Sequence, residues 1–441
     1  MPHLRIATGH SSIPRPAVRN AAGLLVLIAA TMLAACNPTT GDIAAEVVSP
    51  PVADSILVPQ LASVGHDSVL LAWYEPRKSG GYAFRFATWT PRGWNAVQQV
   101  VSDDSVFMHP TDLPSVTKLS SGALGAVWQR RVNKATSGDG WQYEFRVQFS
   151  TDGGASWSSP VIPHTGSTLG GEHEFHAAWP TADGRLGMAW IDPRDQTVVT
   201  PKDTTIPAQY LGAMQLVATT VSPDGSVAPE SVIDDVMCEC CPNSVAMTPT
   251  GPLLAYRDKR VPAGVPRDSL RYEMNVLRDL SFARLVSADS QSPAHWVSGR
   301  RATEDNWIYN GCPNNGPSLA ASGKQVALGW WTGEGEHPRV QLKWSTDGGE
   351  TFGGAKVVSD GRADGQVSVG VSGANKVVAW LQAGAIQVRR YDASGSPSAI
   401  QQLGAAGGRH RIPSMIPLSD GSVLLGWIGS GGHLQLRRLR M

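Results

Sequence analysis

Charge is scarce in this chain. Asp, Glu, Lys and Arg make up 17% of its 441 residues and cancel to a formal net charge of zero. Binding a phosphate backbone needs a basic surplus, which excludes nucleic acid as the main partner. Long apolar runs are equally few. Ala21–Leu33 stands out, and its 13 residues are too short to span a bilayer as a helix. Cysteine occurs five times, at positions 36, 238, 240, 241 and 312. Gly (47), Pro (31) and Trp (15) are plentiful instead, which is the composition of a turn-rich all-β chain.

One pattern recurs seven times: a turn, then four or five apolar residues ending in an aromatic one. The runs are Val69–Trp73, Leu124–Trp128, Leu186–Trp190, Leu253–Tyr256, Val326–Trp330, Val377–Trp380 and Val423–Trp427. Strand-like runs repeating 47 to 74 residues apart are the signature of a β-propeller. Each run has a partner before it across a tight turn, such as Pro317–Ala321, so the two read as strands A and B of a blade. Alternating segments follow as strand C, among them Tyr82–Thr88, Met214–Thr220, Tyr272–Arg278 and Ile386–Tyr391. A Val/Ile-rich strand D comes next, as in Val97–Val101, Ala283–Val286 and Ala355–Val358. The seventh set has no such segment after it, whereas Ile43–Ser49 reads like Ala355–Ser359. The expectation is an all-β, seven-bladed propeller closed by an N-terminal strand, which removes an exposed sheet edge. The competing count is six blades with one stray hairpin.

Arg5, Arg15 and Arg19 precede the apolar run, as in a signal peptide. The run ends in Leu33-Ala34-Ala35-Cys36, which resembles the lipobox of bacterial lipoproteins. That resemblance implies cleavage before Cys36, a diacylglycerol on its thiol, and membrane attachment through the lipid alone. Asn37 in place of Asp leans towards the outer membrane, at its periplasmic or surface face. The expected divisions are a signal peptide over 1–35, a lipidated tether over 36–42 and one propeller domain over 43–441, acting as a monomer.

Two turns carry a sharper motif: Ser150-Thr151-Asp152-Gly153-Gly154-Ala155-Ser156-Trp157 and Ser345-Thr346-Asp347-Gly348-Gly349-Glu350-Thr351-Phe352. They resemble the Asp boxes, or BNR repeats, of the sialidase superfamily. In that reading Ser150, Asp152, Gly154 and Trp157, with Ser345, Asp347, Gly349 and Phe352, are structural. The Asp accepts turn N–H groups and the Gly residues take positive φ. Cys238-Glu239-Cys240-Cys241, Gly311-Cys312-Pro313-Asn314-Asn315-Gly316-Pro317, Glu172-His173-Glu174-Phe175 and Trp190-Ile191-Asp192-Pro193-Arg194 look most like a group of exported bacterial BNR proteins.

A sialidase-like site implies Arg clamps on a substrate carboxylate, a Tyr–Glu nucleophile pair and an Asp acid/base. Arg194, Arg257, Arg278 and Arg411 are the clamp candidates, Tyr272 and Glu273 the nucleophile pair, and Asp112 or Asp192 the acid. The first strand A, Leu57-Val58-Pro59, lacks the Arg that the family carries there, and Arg411-Ile412-Pro413 falls in the last blade. The partner on this reading is an acidic glycan, bound or cleaved at the channel mouth.

Residues leading into strand A meet at that mouth: His109, Asp112, Glu172, His173, His176, Cys238–Cys241, Cys312 and His410. Cys238, Cys240, Cys241 and Cys312 suit either disulfides, as export favours, or a Cu(I) or Zn thiolate site with metal or redox function. A scaffold presenting the channel face to a protein partner is the third reading.

Overall fold

A computed structural model describes residues 43–441, save 53, 66, 135–140, 166–172, 196, 200–208, 212, 267–274, 288–293 and 409–411. Seven antiparallel sheets follow one another as blades. Blade 1 holds Leu57–Gly65, Ser68–Pro76, Tyr82–Thr90 and Gln98–Asp103. Blade 2 holds Ser115–Lys118, Leu124–Lys134 and Trp141–Ser150, and an isolated bridge of Val147 with Val161 stands where its fourth strand would be. Blade 3 holds Glu174–Pro180, Leu186–Asp192, Met214–Val221 and Ser231–Met237. Blade 4 holds Ser244–Thr248, Gly251–Arg257, Leu280–Val286 and His295–Arg301. Blade 5 holds Ser318–Ser322, Gln325–Thr332, Arg339–Ser345 and Lys356–Val357. Blade 6 holds Gly365–Ser372, Asn375–Gln382, Ala385–Tyr391 and Gln401–Ala405.

Blade 7 consists of Ser414–Pro417, Val423–Ile428 and Leu434–Leu439, and its outer strand comes from the other end of the chain. Ala45, Glu46 and Val47 pair with Leu439, Arg438 and Arg437. The N-terminal closure read from Ile43–Ser49 is therefore present, and the count of seven blades holds over six.

Blade 4 departs from the sequence reading. Its third strand is Leu280–Val286, where Tyr272–Arg278 was expected, and its fourth is His295–Arg301, where Ala283–Val286 was expected. The B–C loop before Leu280–Val286 is long, so the third strand falls where the spacing predicts the fourth, at Ala283–Val286.

Strand B lies between neighbouring blades, so both of its faces are covered, which explains its unbroken apolar runs. The core is correspondingly not one body but seven wedges, each shared by two adjacent blades, with the last wedge joining blades 7 and 1. The terminal aromatic of every B strand is buried. Its polar atom always finds a partner, as a buried indole or phenol requires. Trp73 donates to Glu75, Trp128 to Gln148, Trp190 to Asp192 and Tyr256 to Asp234. Trp330 donates to Asp305, Trp380 to Gln382 and Trp427 to the Ala405 carbonyl.

The two Ser-Thr-Asp-Gly-Gly turns lie at the C–D end of their blades. Asp152 accepts from Ser156 N and Ser150 Oγ, and Asp347 accepts from Glu350 N, Thr351 N and Ser345 Oγ. These donors hold both carboxyls well below the usual carboxylate range. The aromatics reach back to the preceding blade: Trp157 meets Phe86 edge-on at 5.9 Å, and Phe352 stacks on Phe282 at 4.9 Å.

Candidate functional sites on the loop face

Alternating strand directions put all D–A and B–C loops at one end of the ring, opposite the Ser-Thr-Asp-Gly-Gly turns. A cavity of about 360 Å³ runs down the axis, lined by the first residues of every strand A. One position repeats around it. Opposite the residue that precedes each blade's aromatic stand Gln60, Ser115, Ala177, Ser244, Ser318, Ser368 and Ser414. Five of these seven are serine, and the hydroxyls of four of them stitch blade to blade. Ser414 Oγ accepts from Leu61 N at 2.8 Å, Ser244 Oγ from Leu319 N at 2.9 Å, and Ser318 Oγ from Val369 N at 3.0 Å.

Between blades 2 and 3 the stitch is made by side chains. His176 Nε2 lies 2.8 Å from Ser115 Oγ, and His176 Nδ1 lies 3.4 Å from Asp112 Oδ1. A Ser–His–Asp chain has the order of a nucleophilic triad. Here, however, Ser115 fills the place of the other stitching serines. Asp112, the expected acid, is buried and accepts from Gln129 Nε2 and Phe175 N, both at 2.7 Å. Both groups therefore read as part of the ring's fastening.

Beside them, Asp192 is a hub. It accepts from Trp190 Nε1 at 2.9 Å and from Arg194 Nε and Nη2 at 2.8 Å. Burial opposes its charge, but Arg194 outweighs that and holds the carboxyl well below its ordinary range. Arg194 also pairs with Glu230 at 2.8 Å. His173 lies 3.5 Å from Asp192, and His164 stacks on His173 with centroids 3.8 Å apart. Burial, reinforced by His173, pushes the His164 imidazole down to about 3.

The other clamp candidates are internal. Arg257 is fully buried, donating from Nε to Asn315 O, from Nη1 to Arg278 O and from Nη2 to Trp331 O. Arg278 is also buried, donating to Tyr309 O and Gly311 O and pairing with Glu239 at 3.5 Å. The planar fork that suits a substrate carboxylate is thus fastening the loop over residues 302–317. Arg194, Arg257 and Arg278, the expected clamps, each already serve acceptors within the protein. Tyr272, Glu273 and Arg411, with Glu172, His410 and Cys36, lie outside the described residues.

The cysteines divide into two kinds. Cys240 and Cys312 are joined as a disulfide across 72 residues, with Cα atoms 5.9 Å apart. Cys238 and Cys241 are buried thiols whose sulfurs lie 3.5 Å apart. Of the four cysteines expected as a thiolate set, Cys240 and Cys312 are thus bonded to each other in this structure, and Cys238 and Cys241 remain as thiols. Burial pushes the Cys238 thiol up. Burial also works against Cys241, but the hydrogen bond with Cys238 and the Arg257 charge draw it down to about 7.

One feature escaped the sequence reading. The loop leading to blade 5, the B–C loop of blade 5 and the loop leading to blade 6 enclose an open cleft of about 620 Å³, lined by Tyr309, Ile308, Trp331, Glu334, Glu336 and Arg362. Tyr309, 39% exposed, lies flat on buried Trp307, with centroids 5.1 Å apart and planes 20° apart. Trp331 meets Trp307 edge-on at 5.2 Å and donates to Ala363 O at 2.8 Å. Asp279 accepts from Asn306 N and Trp307 N, fixing the shelf from below. Trp307-Ile308-Tyr309 and the Trp330-Trp331 pair were its signals in sequence.

No protein-family profile and no curated protein matches the chain. Solved structures similar to it include two arabinose-releasing or arabinan-degrading enzymes by name and one β-propeller domain. An α-L-arabinofuranosidase of Fusarium graminearum is 12% identical at TM-score 0.46, covering 90% of this chain and 96% of that one. An α-L-arabinanase of Penicillium chrysogenum is 14% identical at TM-score 0.46, covering 90% and 97%. The β-propeller domain of the Trilobed protease from Pyrococcus furiosus is 9% identical at TM-score 0.43, covering 88% and 94%. At such distances no chemistry passes from those proteins to this one. The chain is a seven-bladed β-propeller whose loop face carries a stitched channel, a cysteine cluster and an aromatic cleft.

Proposed function

We propose that the protein binds a carbohydrate on its loop face, in the cleft beside Tyr309, while anchored outside the cytoplasm through Cys36. The observation that carries this reading is the pre-formed aromatic shelf. A sugar offers C–H faces to an aromatic ring and hydroxyls to carboxylates and guanidinium groups around it. The cleft supplies both kinds of partner, from Tyr309 and Trp331 and from Glu334, Glu336 and Arg362. Sites of this kind are concave, largely apolar and fixed by a few placed polar groups.

The charges refine the ligand. Glu334 is paired with Arg339 at 2.8 Å, so Glu336 and Arg362 remain as one charge of each sign, a balance that favours a neutral, hydroxyl-rich sugar over a sialylated one. The sialidase-type reading finds less support, because Arg194, Arg257 and Arg278 already serve the protein's own acceptors.

The test is an array of neutral and acidic glycans probed with the purified protein, followed by calorimetry on any ligand found. Tyr309→Ala is expected to weaken binding at least tenfold while leaving the melting temperature within a few degrees. Retention of no glycan, or binding indifferent to Tyr309→Ala, would sink the proposal. The anchor is tested separately. Cells fed a labelled fatty acid are expected to label the wild type and not Cys36→Ala, and equal labelling overturns the anchor.

A further inference from the structure

The cysteine cluster is not used by the carbohydrate reading and stands independently of it. Its four sulfurs form a graded line. Cys312 is exposed, Cys240 is half-buried, and Cys238 and Cys241 are completely buried. Cys238 Sγ lies 3.8 Å from Cys240 Sγ and 3.5 Å from Cys241 Sγ. A thiol in van der Waals reach of a disulfide sulfur is placed for exchange, which proceeds through thiolate attack on one sulfur and departure of the other. Arg257 and Arg278 bring positive charge to the buried thiols, and Lys259 pairs with Glu239 between them.

We propose that these cysteines form a thiol–disulfide relay, with the Cys240–Cys312 bridge as its surface port and Cys238/Cys241 as its buried dithiol. In the first step the Cys238 sulfur attacks Cys240. The Cys238–Cys240 bond forms, the Cys240–Cys312 bond breaks, and Cys312 leaves with the electron pair and takes up the Cys238 proton. In the second step Cys241 attacks Cys238. The Cys238–Cys241 bond forms, Cys240 departs as the thiolate and takes up the Cys241 proton. These two steps move the disulfide inward without net oxidation. An external disulfide then reoxidises Cys240 and Cys312, itself becoming two thiols. The chain then holds two disulfides, and the external disulfide has taken up the two electrons of the buried pair. In the reverse direction an external dithiol attacks the exposed Cys312.

The Cys238-Glu239-Cys240-Cys241 spacing supports this use. The outer members are three residues apart, and the port cysteine lies between them. The bridge partner Cys312 sits on the loop over 302–317, which Arg257 and Arg278 hold in place through backbone carbonyls. The port is therefore not dependent on its own disulfide for position.

The experiment equilibrates the purified full-length protein with reduced and oxidised glutathione over a range of ratios. Thiols are trapped by acid, alkylated before and after reduction with two isotopic reagents, and assigned by tandem mass spectrometry. Oxidising buffers are expected to convert Cys238 and Cys241 to a disulfide, with Cys312 labelled as a transient thiol. Cys240→Ser is expected to slow that conversion at least tenfold. Cys312→Ser keeps Cys240, and is expected to take a glutathione adduct there that Cys238 displaces as free glutathione, forming the Cys238–Cys240 bond and then the Cys238–Cys241 bond. This second variant keeps the test decisive if Cys240→Ser fails to fold. The relay is overturned if Cys238 and Cys241 stay as thiols at every ratio, or oxidise equally fast in folded Cys240→Ser. It is also overturned if the reduced protein carries one zinc or copper ion per chain that holds the four thiols against glutathione disulfide.

Discussion

At the scale of single residues, burial determines chemistry more than residue type does. His164 shows this most directly. Its imidazole is held neutral down to about pH 3, whereas in the unfolded chain it takes its proton near 6.5. The unfolded state therefore binds more protons in that window, and stability attributable to His164 falls as pH drops from about 6.5. Asp234 runs the other way. Burial raises its carboxyl to about 6, so its contribution is lost as pH rises through roughly 4 to 6. The two trends oppose each other, so the wild type alone would hide both. Urea melts of His164→Gln at pH 7.5 and pH 5 are expected to separate them. The variant should gain on the wild type by up to about 2 kcal/mol at the lower pH. An unchanged difference between the two pH values would falsify the buried neutral imidazole.

Arg257 makes a second residue-scale case. Its three nitrogens satisfy three carbonyls from separate segments, two loops and the end of strand Gln325–Thr332, and its guanidinium lies 5.3 Å from the Trp307 ring. Arg257→Ala is expected to destabilise the fold by about 3 kcal/mol, since buried acceptors lose a charged donor. Arg257→Lys should recover only part of that, because an ammonium cannot reproduce the fork. Denaturant midpoints of the two variants decide the matter. A stable Arg257→Ala protein that lost only ligand binding would return Arg257 to the clamp role.

At the scale of elements, the Ser-Thr-Asp-Gly-Gly turns separate backbone strain from steric fit. Gly153 and Gly154 both have positive φ, +73° and +100°. A Cβ on Gly153 meets nothing within 4 Å, while one on Gly154 would lie 2.3 Å from Phe86 Cζ in the neighbouring blade. Gly153→Ala should therefore cost about 1 kcal/mol, and Gly154→Ala about 3 kcal/mol through displacement of Phe86 and Trp157. Equal melting temperatures for the two variants would contradict the packing of that turn against blade 1. Most of this was legible in the residues. The Asp, the paired glycines and the trailing aromatic announce the turn, and the run of apolar residues announces strand B. What the residues did not give was the aromatic's destination, because Trp157 and Phe352 pack on a blade that ends tens of residues earlier. Blade 4 failed for a related reason. Leu280–Val286 alternates like any strand, and only pairing with Gly251–Arg257 identifies it as the third strand rather than the fourth.

For the whole molecule, closure is the controlling feature. Leu434–Leu439 is covered as a sheet edge only while Ala45–Val47 remains on blade 7. Ile43, next to that strand, is buried in the wedge between blades 6 and 7. Ile43→Asp should lower stability by about 3 kcal/mol or more, because a charge would replace an apolar side chain in the wedge. Removal of residues 1–49 should lower the melting temperature further and produce concentration-dependent association through Leu434–Leu439. Light scattering across a concentration series reads this out. A monomeric, equally stable truncated protein would mean that closure does not hold the ring.

The sequence by itself determined the repeat. Seven apolar runs ending in an aromatic, with turns at regular places, can satisfy their backbone and bury both faces only as stacked blades. It also determined that Ile43–Ser49 completes the last sheet, since that segment has a strand D pattern and no neighbour in its own stretch of chain. Tertiary structure alone decided what the polar residues do. Arg257, Arg278 and Asp112 have the side chains of a catalytic clamp and acid, yet they are bonded to groups of the protein itself, many of them distant in sequence. Cys240 found Cys312 rather than Cys238 or Cys241, and Tyr309 found Trp307. Local pattern sets hydrophobic burial, which depends on period and area. Hydrogen-bond partners depend on which loops the closed ring brings within 3 Å, and no stretch of sequence carries that information.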